Sequence, residues 1–232
     1  MKTVVITGGA GGIGSAVSRG FAEKGYRVIL GYNHSKEKAE KIAAEIDGRA
    51  YRVDVTDAAS VLAFRESVGK ADVLVNNAGI AQQKLFGDIL EEEWDAMMAV
   101  HVKGAFLMCQ AFLPEMIREK SGCIVNIASM WGQVGASCEV HYSAAKAALI
   151  GMTKALAKEV GPSGVRVNCV SPGVIETDMM AAFSEEDKAA LREETPLCRL
   201  GTPEDVAEAV LFAAESAFLT GQIIAPNGGF II

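Results

Sequence analysis

Tyr142 and Lys146 stand four residues apart in a segment of helical period, a spacing that puts both side chains on one helix face. An ammonium beside a phenol favours the phenolate. It lowers the phenol pKa from about 10 and makes the group a better proton donor or acceptor near neutrality. Ser129, thirteen residues upstream and just past an apolar run, can offer its hydroxyl to the same substrate oxygen. A Tyr-x-x-x-Lys pair alone is common on helix surfaces, so the chemistry has to be supported by other residues.

One such group is Thr7-Gly8-Gly9-Ala10-Gly11-Gly12-Ile13-Gly14, which follows an apolar run and opens a helical pattern. Gly8, Gly12 and Gly14 permit a tight turn, a close approach by a pyrophosphate and close packing of the helix. The helix N-terminus adds free N–H groups and positive potential. The loop lacks the Gly-Lys-Ser/Thr ending of a mononucleotide phosphate loop, so a dinucleotide is the better fit. Dinucleotide sites that exclude a 2'-phosphate place a carboxylate after the second strand. Here that stretch reads Gly31-Tyr32-Asn33-His34-Ser35-Lys36, without an acid. Asn33, His34 and Ser35 are therefore expected to receive the extra phosphate, which favours NADPH over NADH. Asp54, after the third strand, either accepts from an adenine amino group or caps the next helix.

The elements that must hold these groups alternate. Strand-like runs at 2–7, 27–32, 50–53, 72–75, 123–127, 166–170 and 223–225 are separated by helical patterns at 12–24, 36–46, 58–69, 91–119, 141–160 and 185–194, with Thr202-Pro203 opening a last helix. Strands buried on both faces and joined through helices predict an α/β fold: a Rossmann-like, doubly wound parallel sheet with helices on both faces. No composition shift or linker divides the 232 residues, so one domain over 1–232 is expected. The irregular stretch from Pro172 to about Thr195 reads as a substrate lid.

Composition narrows the partners. With 22 basic against 29 acidic residues the formal charge is −7, the reverse of a nucleic-acid footprint. Five cysteines without a C-x-x-C pair suit a reducing compartment, no metal is expected, and no apolar run suggests a membrane span. Localisation in the cytoplasm is the resulting expectation.

Taken together, Thr7–Gly14, Asn76-Asn77-Ala78-Gly79, Ser129, Tyr142-Ser-Ala-Ala-Lys146 and Pro172-Gly173 resemble, in order and spacing, the short-chain dehydrogenase/reductase family. Pro172-Gly-Val-Ile-Glu-Thr-Asp-Met179, Arg199-Leu-Gly-Thr-Pro203 and Asn227-Gly-Gly-Phe230 are most similar to its 3-oxoacyl-acyl-carrier-protein reductases. The resemblance implies hydride transfer between NADPH and a ketone. Tyr142 would protonate the oxygen and Ser129 polarise it, while Lys146 would hold the nicotinamide ribose. It further implies that Ile13, Asn76, Ala78 and Gly79 line the cofactor, that Pro172, Gly173, Ile175 and Thr177 hold its nicotinamide end, and that Asp54 and Val55 meet the adenine. A homotetramer is implied in the same way.

Two positions depart from the family. His101 stands where an asparagine usually completes the catalytic set, and it is expected to hold a relay water, to titrate near neutral pH itself, or to be a packed core residue. Gly11 occupies a position that is often basic in NADP-specific relatives. The segment Ser129–Tyr142 also resembles a subgroup of reductases that act on the 5-aminopentanone group of elongation factor P, so the substrate partner is either acyl carrier protein or elongation factor P. A non-catalytic dinucleotide-binding protein is the distant alternative.

Overall fold

The computed structural model describes residues 1–177, 180 and 183–232. Asp178 and Met179, part of the motif after Pro172 and of the expected lid, lie outside the described residues.

Seven parallel strands form one sheet in the order β3-β2-β1-β4-β5-β6-β7. They are β1 (Thr3–Thr7), β2 (Arg27–Tyr32), β3 (Arg49–Arg52), β4 (Val73–Asn76), β5 (Gly122–Ile127), β6 (Val165–Val170) and β7 (Ile223–Ile224). The helices are α1 (Gly12–Glu23), α2 (Lys36–Glu45), α3 (Ala58–Val68), α4 (Glu91–Met98), α5 (Gly104–Arg118), α6 (Trp131–Val134), α7 (Val140–Val160), α8 (Glu185–Glu194) and α9 (Pro203–Glu215). The expected α/β fold is what forms. Most boundaries fall within a residue of those read from the pattern, with β3 and β4 each shifted by one.

Alternation along β1 shows how the sheet is buried twice. Val4 and Ile6 join one core with Val17 and Phe21 of α1 and Val206 and Val210 of α9. Val5 joins the opposite core with Phe64 of α3 and Met108 and Phe112 of α5. Successive side chains of a strand point to opposite faces, so a strand covered by helices on both sides must be apolar throughout. Strand order reverses between β1 and β4, and α/β sheets bind ligands in the crevice beyond the strand ends at such a switch.

Helix ends are fixed locally. Thr202 caps α9 by accepting from the Asp205 N–H, and its own N–H donates to the Asp205 carboxylate at 2.7 Å. Asp57, rather than Asp54, caps α3, accepting from the Ala59 N–H.

α4 and α5 run on through a π-helical turn at Ala99–Lys103, a feature the pattern did not foretell. The span Glu91–Arg118 is long and apolar enough to cross a membrane, contrary to the sequence expectation. Here its Met97, Met108, Phe112 and Met116 are buried against the rest of the fold.

Candidate active site

The glycine loop leaves β1 at the switch point. Gly8 adopts φ +63°, in the left-handed region that favours glycine. A Cβ on Gly14 would collide with the Gly8 carbonyl oxygen, so the loop is wound too tightly for any other residue there. Asn77 ties the turn down by donating from Nδ2 to the carbonyl oxygens of Thr7 and Gly8, both at 3.1 Å. Across the opening, a Cβ on Gly12 would stand 2.8 Å from Thr177 Cγ2, so the segment after β6 meets the start of α1.

Between these walls lies a cleft of ≈ 320 Å³. Gly8, Gly12, Ile13, Gly14, Asn33, Ser35, Gly79, His101, Tyr142, Lys146 and Thr177 all line it, as do Tyr32, Asn77 and Ile80. Its volume, its glycine cradle at a helix N-terminus and the buried, unpartnered Asn33 Oδ1 suit a dinucleotide whose polar atoms need partners.

Ser129 lies just past β5 with 7% of its surface exposed, and its hydroxyl acts on the Tyr142 phenol in the direction that favours the ionised form. Its Oγ also accepts from the Trp131 N–H at 3.2 Å. Lys146, one turn along α7 from Tyr142, is 4% exposed and donates from Nζ to the Ile127 carbonyl oxygen at 2.8 Å. That Nζ stands 5.4 Å from the centre of the Tyr142 ring.

Burial governs the titrations here. It pushes the Tyr142 phenol up to about 12, despite the favourable bond from Ser129. It pulls the Lys146 ammonium down to about 8. Removing the phenolate from water is the dominant effect at Tyr142, and the Lys146 charge is itself desolvated.

His101 sits in the π-helical turn, 2% exposed, with its ring edge-on to Tyr142 at a centroid distance of 5.5 Å. Its Nε2 is 2.8 Å from the Ile80 carbonyl oxygen. Burial, reinforced by the Lys146 charge, drops its pKa to about 3, so the imidazole is neutral and does not titrate near 6.5.

Several expected cofactor contacts lie off the cleft. Asn76 is the last residue of β4 and points into the sheet interior, where its Nδ2 donates to Asn126 Oδ1 at 2.9 Å. Asn77, one residue past the end of β4, lines the cleft instead, and the Asn-Asn pair was the signal available for it. Asp54 accepts from the Thr56 N–H and hydroxyl at 2.9 and 2.7 Å and from Asn33, so its carboxylate is already occupied. Ile175 is buried in the core beside α9, and Val55 is 8% exposed. Ala78, His34, Pro172 and Gly173 also lie outside the lining. His34 is exposed beyond β2, and Gly173 packs against Asn227. At the opposite rim, Trp131 meets Phe230 edge-on at 5.8 Å, so the C-terminal segment reaches the site.

The profile of the family described as Enoyl-(Acyl carrier protein) reductase matches residues 8–231. The chain belongs to the short-chain dehydrogenase/reductase family. Within it, the 3-oxoacyl-[acyl-carrier-protein] reductase of Thermotoga maritima is 42% identical over 242 residues, covering 100% of this chain and 98% of the relative. The enzyme of the same name from Aquifex aeolicus is 42% identical over 241 residues, covering 98% of this chain and 96% of its own. The uncharacterized oxidoreductase YmfI of Bacillus subtilis is 37% identical over 239 residues, covering 99% and 98%. As a short-chain dehydrogenase/reductase, the chain is a nicotinamide-dependent oxidoreductase acting between ketone and hydroxyl groups.

Proposed function

We propose that this chain, as one catalytic domain over residues 1–232, is an NADPH-dependent reductase of 3-oxoacyl groups carried on acyl carrier protein. The observation that carries the reading is the Lys146 ammonium 5.4 Å from the centre of the Tyr142 ring, with both side chains lining the glycine-cradled cleft. A bound nicotinamide supplies the hydride. Ser129 donates a hydrogen bond to the ketone oxygen, and Tyr142 gives that oxygen its proton as negative charge develops there. A phenol held near 12 is fully protonated at neutral pH, which suits it to act as the acid. Lys146 would hold the ribose hydroxyls of the cofactor, and its charge stabilises the tyrosinate left behind.

Phosphate selection rests on the cleft wall at Tyr32, Asn33 and Ser35, which carries amide and hydroxyl groups and no carboxylate. The names of the 3-oxoacyl-[acyl-carrier-protein] reductases among the relatives support the acyl substrate. Exposed Phe106 on α5 and Val140 on α7 supply apolar surface for the homotetramer that belongs to this reading, which a solution mass would test.

A second reading keeps the chemistry and exchanges the carrier for elongation factor P bearing a 5-aminopentanone. It is favoured by Ser163, in the turn before β6, where carrier-protein reductases commonly present a basic residue. Turnover of NADPH with acetoacetyl carrier protein, run beside aminopentanone-modified elongation factor P, separates the two. Faster turnover of the carrier substrate is expected, and turnover of the modified factor alone would overturn the first reading.

A further inference from the structure

Behind the cleft a row of buried polar side chains crosses the sheet. Thr153 Oγ1 donates to the Leu149 carbonyl oxygen within α7 at 2.8 Å and accepts from Asn126 Nδ2 at 2.9 Å. Asn126 Oδ1 in turn accepts from Asn76 Nδ2 at 2.9 Å. A carbonyl can only accept, so the Leu149 oxygen sets the direction of every bond that follows. The row therefore presents the acceptor Asn76 Oδ1 at its far end.

That oxygen has no partner among the described residues, and neither has His101 Nδ1. Both residues line a cavity of ≈ 10 Å³ closed by Thr7, Val55 and Met108. The other ring nitrogen, Nε2, lies 2.8 Å from the Ile80 carbonyl oxygen and 3.1 Å from the Ile80 main-chain nitrogen, and the closer carbonyl, which can only accept, calls for Nε2–H as donor. His101 Nδ1 is then an acceptor too. Two acceptors thus face a space about as large as a single water requires, and leaving buried polar atoms unpaired is costly.

We propose that one buried water donates to both Asn76 Oδ1 and His101 Nδ1 and so completes a directed hydrogen-bond chain from α7 to the rim residue Ile80. The chain makes His101 a positioning residue. It holds the imidazole neutral in the Nε2–H form, edge-on to Tyr142, and ties the π-helical turn to the segment after β4. Because the inference concerns the protein's own interior, it holds whichever carbonyl substrate is reduced.

Spectra of the protein carrying ¹⁵N-labelled histidine test it, with His101→Asn assigning the ring among the three histidines. His101 is expected to show the Nε2–H tautomer with a hydrogen-bonded Nδ1, unchanged between about pH 5 and 8. A crystal structure should place one ordered water within hydrogen-bond distance of both atoms. Asn76→Leu should remove that water and move the Nδ1 resonance to its unbonded position. An Nδ1–H tautomer, or a dry cavity in the crystal, would overturn the proposal. Should Asn76→Leu fail to fold, the wild-type spectrum and crystal structure decide alone.

Discussion

The Lys146 Nζ is held 5.4 Å from the Tyr142 ring centre while donating to the Ile127 carbonyl oxygen, so the charge waits beside the phenol on a main-chain acceptor. Both groups are desolvated, and burial shifts them in opposite directions, the phenol to about 12 and the ammonium to about 8.

The order of those values fixes the pH response of ketone reduction. The reaction needs a protonated Tyr142 and a charged Lys146, and rising pH removes the lysine proton first. In the free enzyme kcat/KM should hold level through about pH 7 and fall above about 8. His101, held near 3, contributes no inflection around 6.5. A limb centred near 6.5 that disappears in His101→Asn would show that the imidazole exchanges the proton after all.

Lys146→Met should weaken cofactor binding and slow turnover together, because one ammonium serves the ribose and the tyrosinate. Titration of protein fluorescence with NADPH checks the first effect. An unaltered dissociation constant would leave the ribose without its assigned partner.

Preference for NADPH should reverse in Tyr32→Asp. The substitution puts a carboxylate at the end of β2, on the cleft wall shared with Asn33 and Ser35, and like charges there oppose the extra phosphate. The ratio of kcat/KM for the two cofactors is the readout. Comparable use of both by the wild type would remove the argument from the missing acid.

At position 101, His101→Leu should slow turnover and lower Tm, since it deletes the bond to Ile80 and the edge-on contact with Tyr142. His101→Asn, which retains a polar group, should keep most of the rate. Full activity in the leucine variant would show that Tyr142 needs no support from this turn.

Much of this was legible beforehand because it lies in local spacing. The Gly8–Gly14 loop, the strand periodicity and the Tyr142–Lys146 interval are short-range patterns. What escaped depends on tertiary context. Asn76 closes β4 and turns inward to Asn126 while Asn77 lines the cleft, a choice within the Asn-Asn pair that no apolar run reveals. The π-helical turn at Ala99–Lys103 reads as ordinary helix in sequence, yet it is where His101 meets Tyr142. Sequence also displays the charge of Lys146 but not the burial that desolvates it. Asp54 looked free because Thr56 and Asn33, which occupy it, only come together in the fold.

The most direct test of the account is the fading of NADPH absorbance on adding acetoacetyl carrier protein, compared between wild type and Tyr142→Phe. The variant keeps the ring against His101 and removes the proton donor. Its kcat should fall by about 100 to 10,000 fold, with NADPH affinity nearly unchanged. Wild-type-like turnover in Tyr142→Phe would contradict the assignment of Tyr142 as the acid that completes ketone reduction.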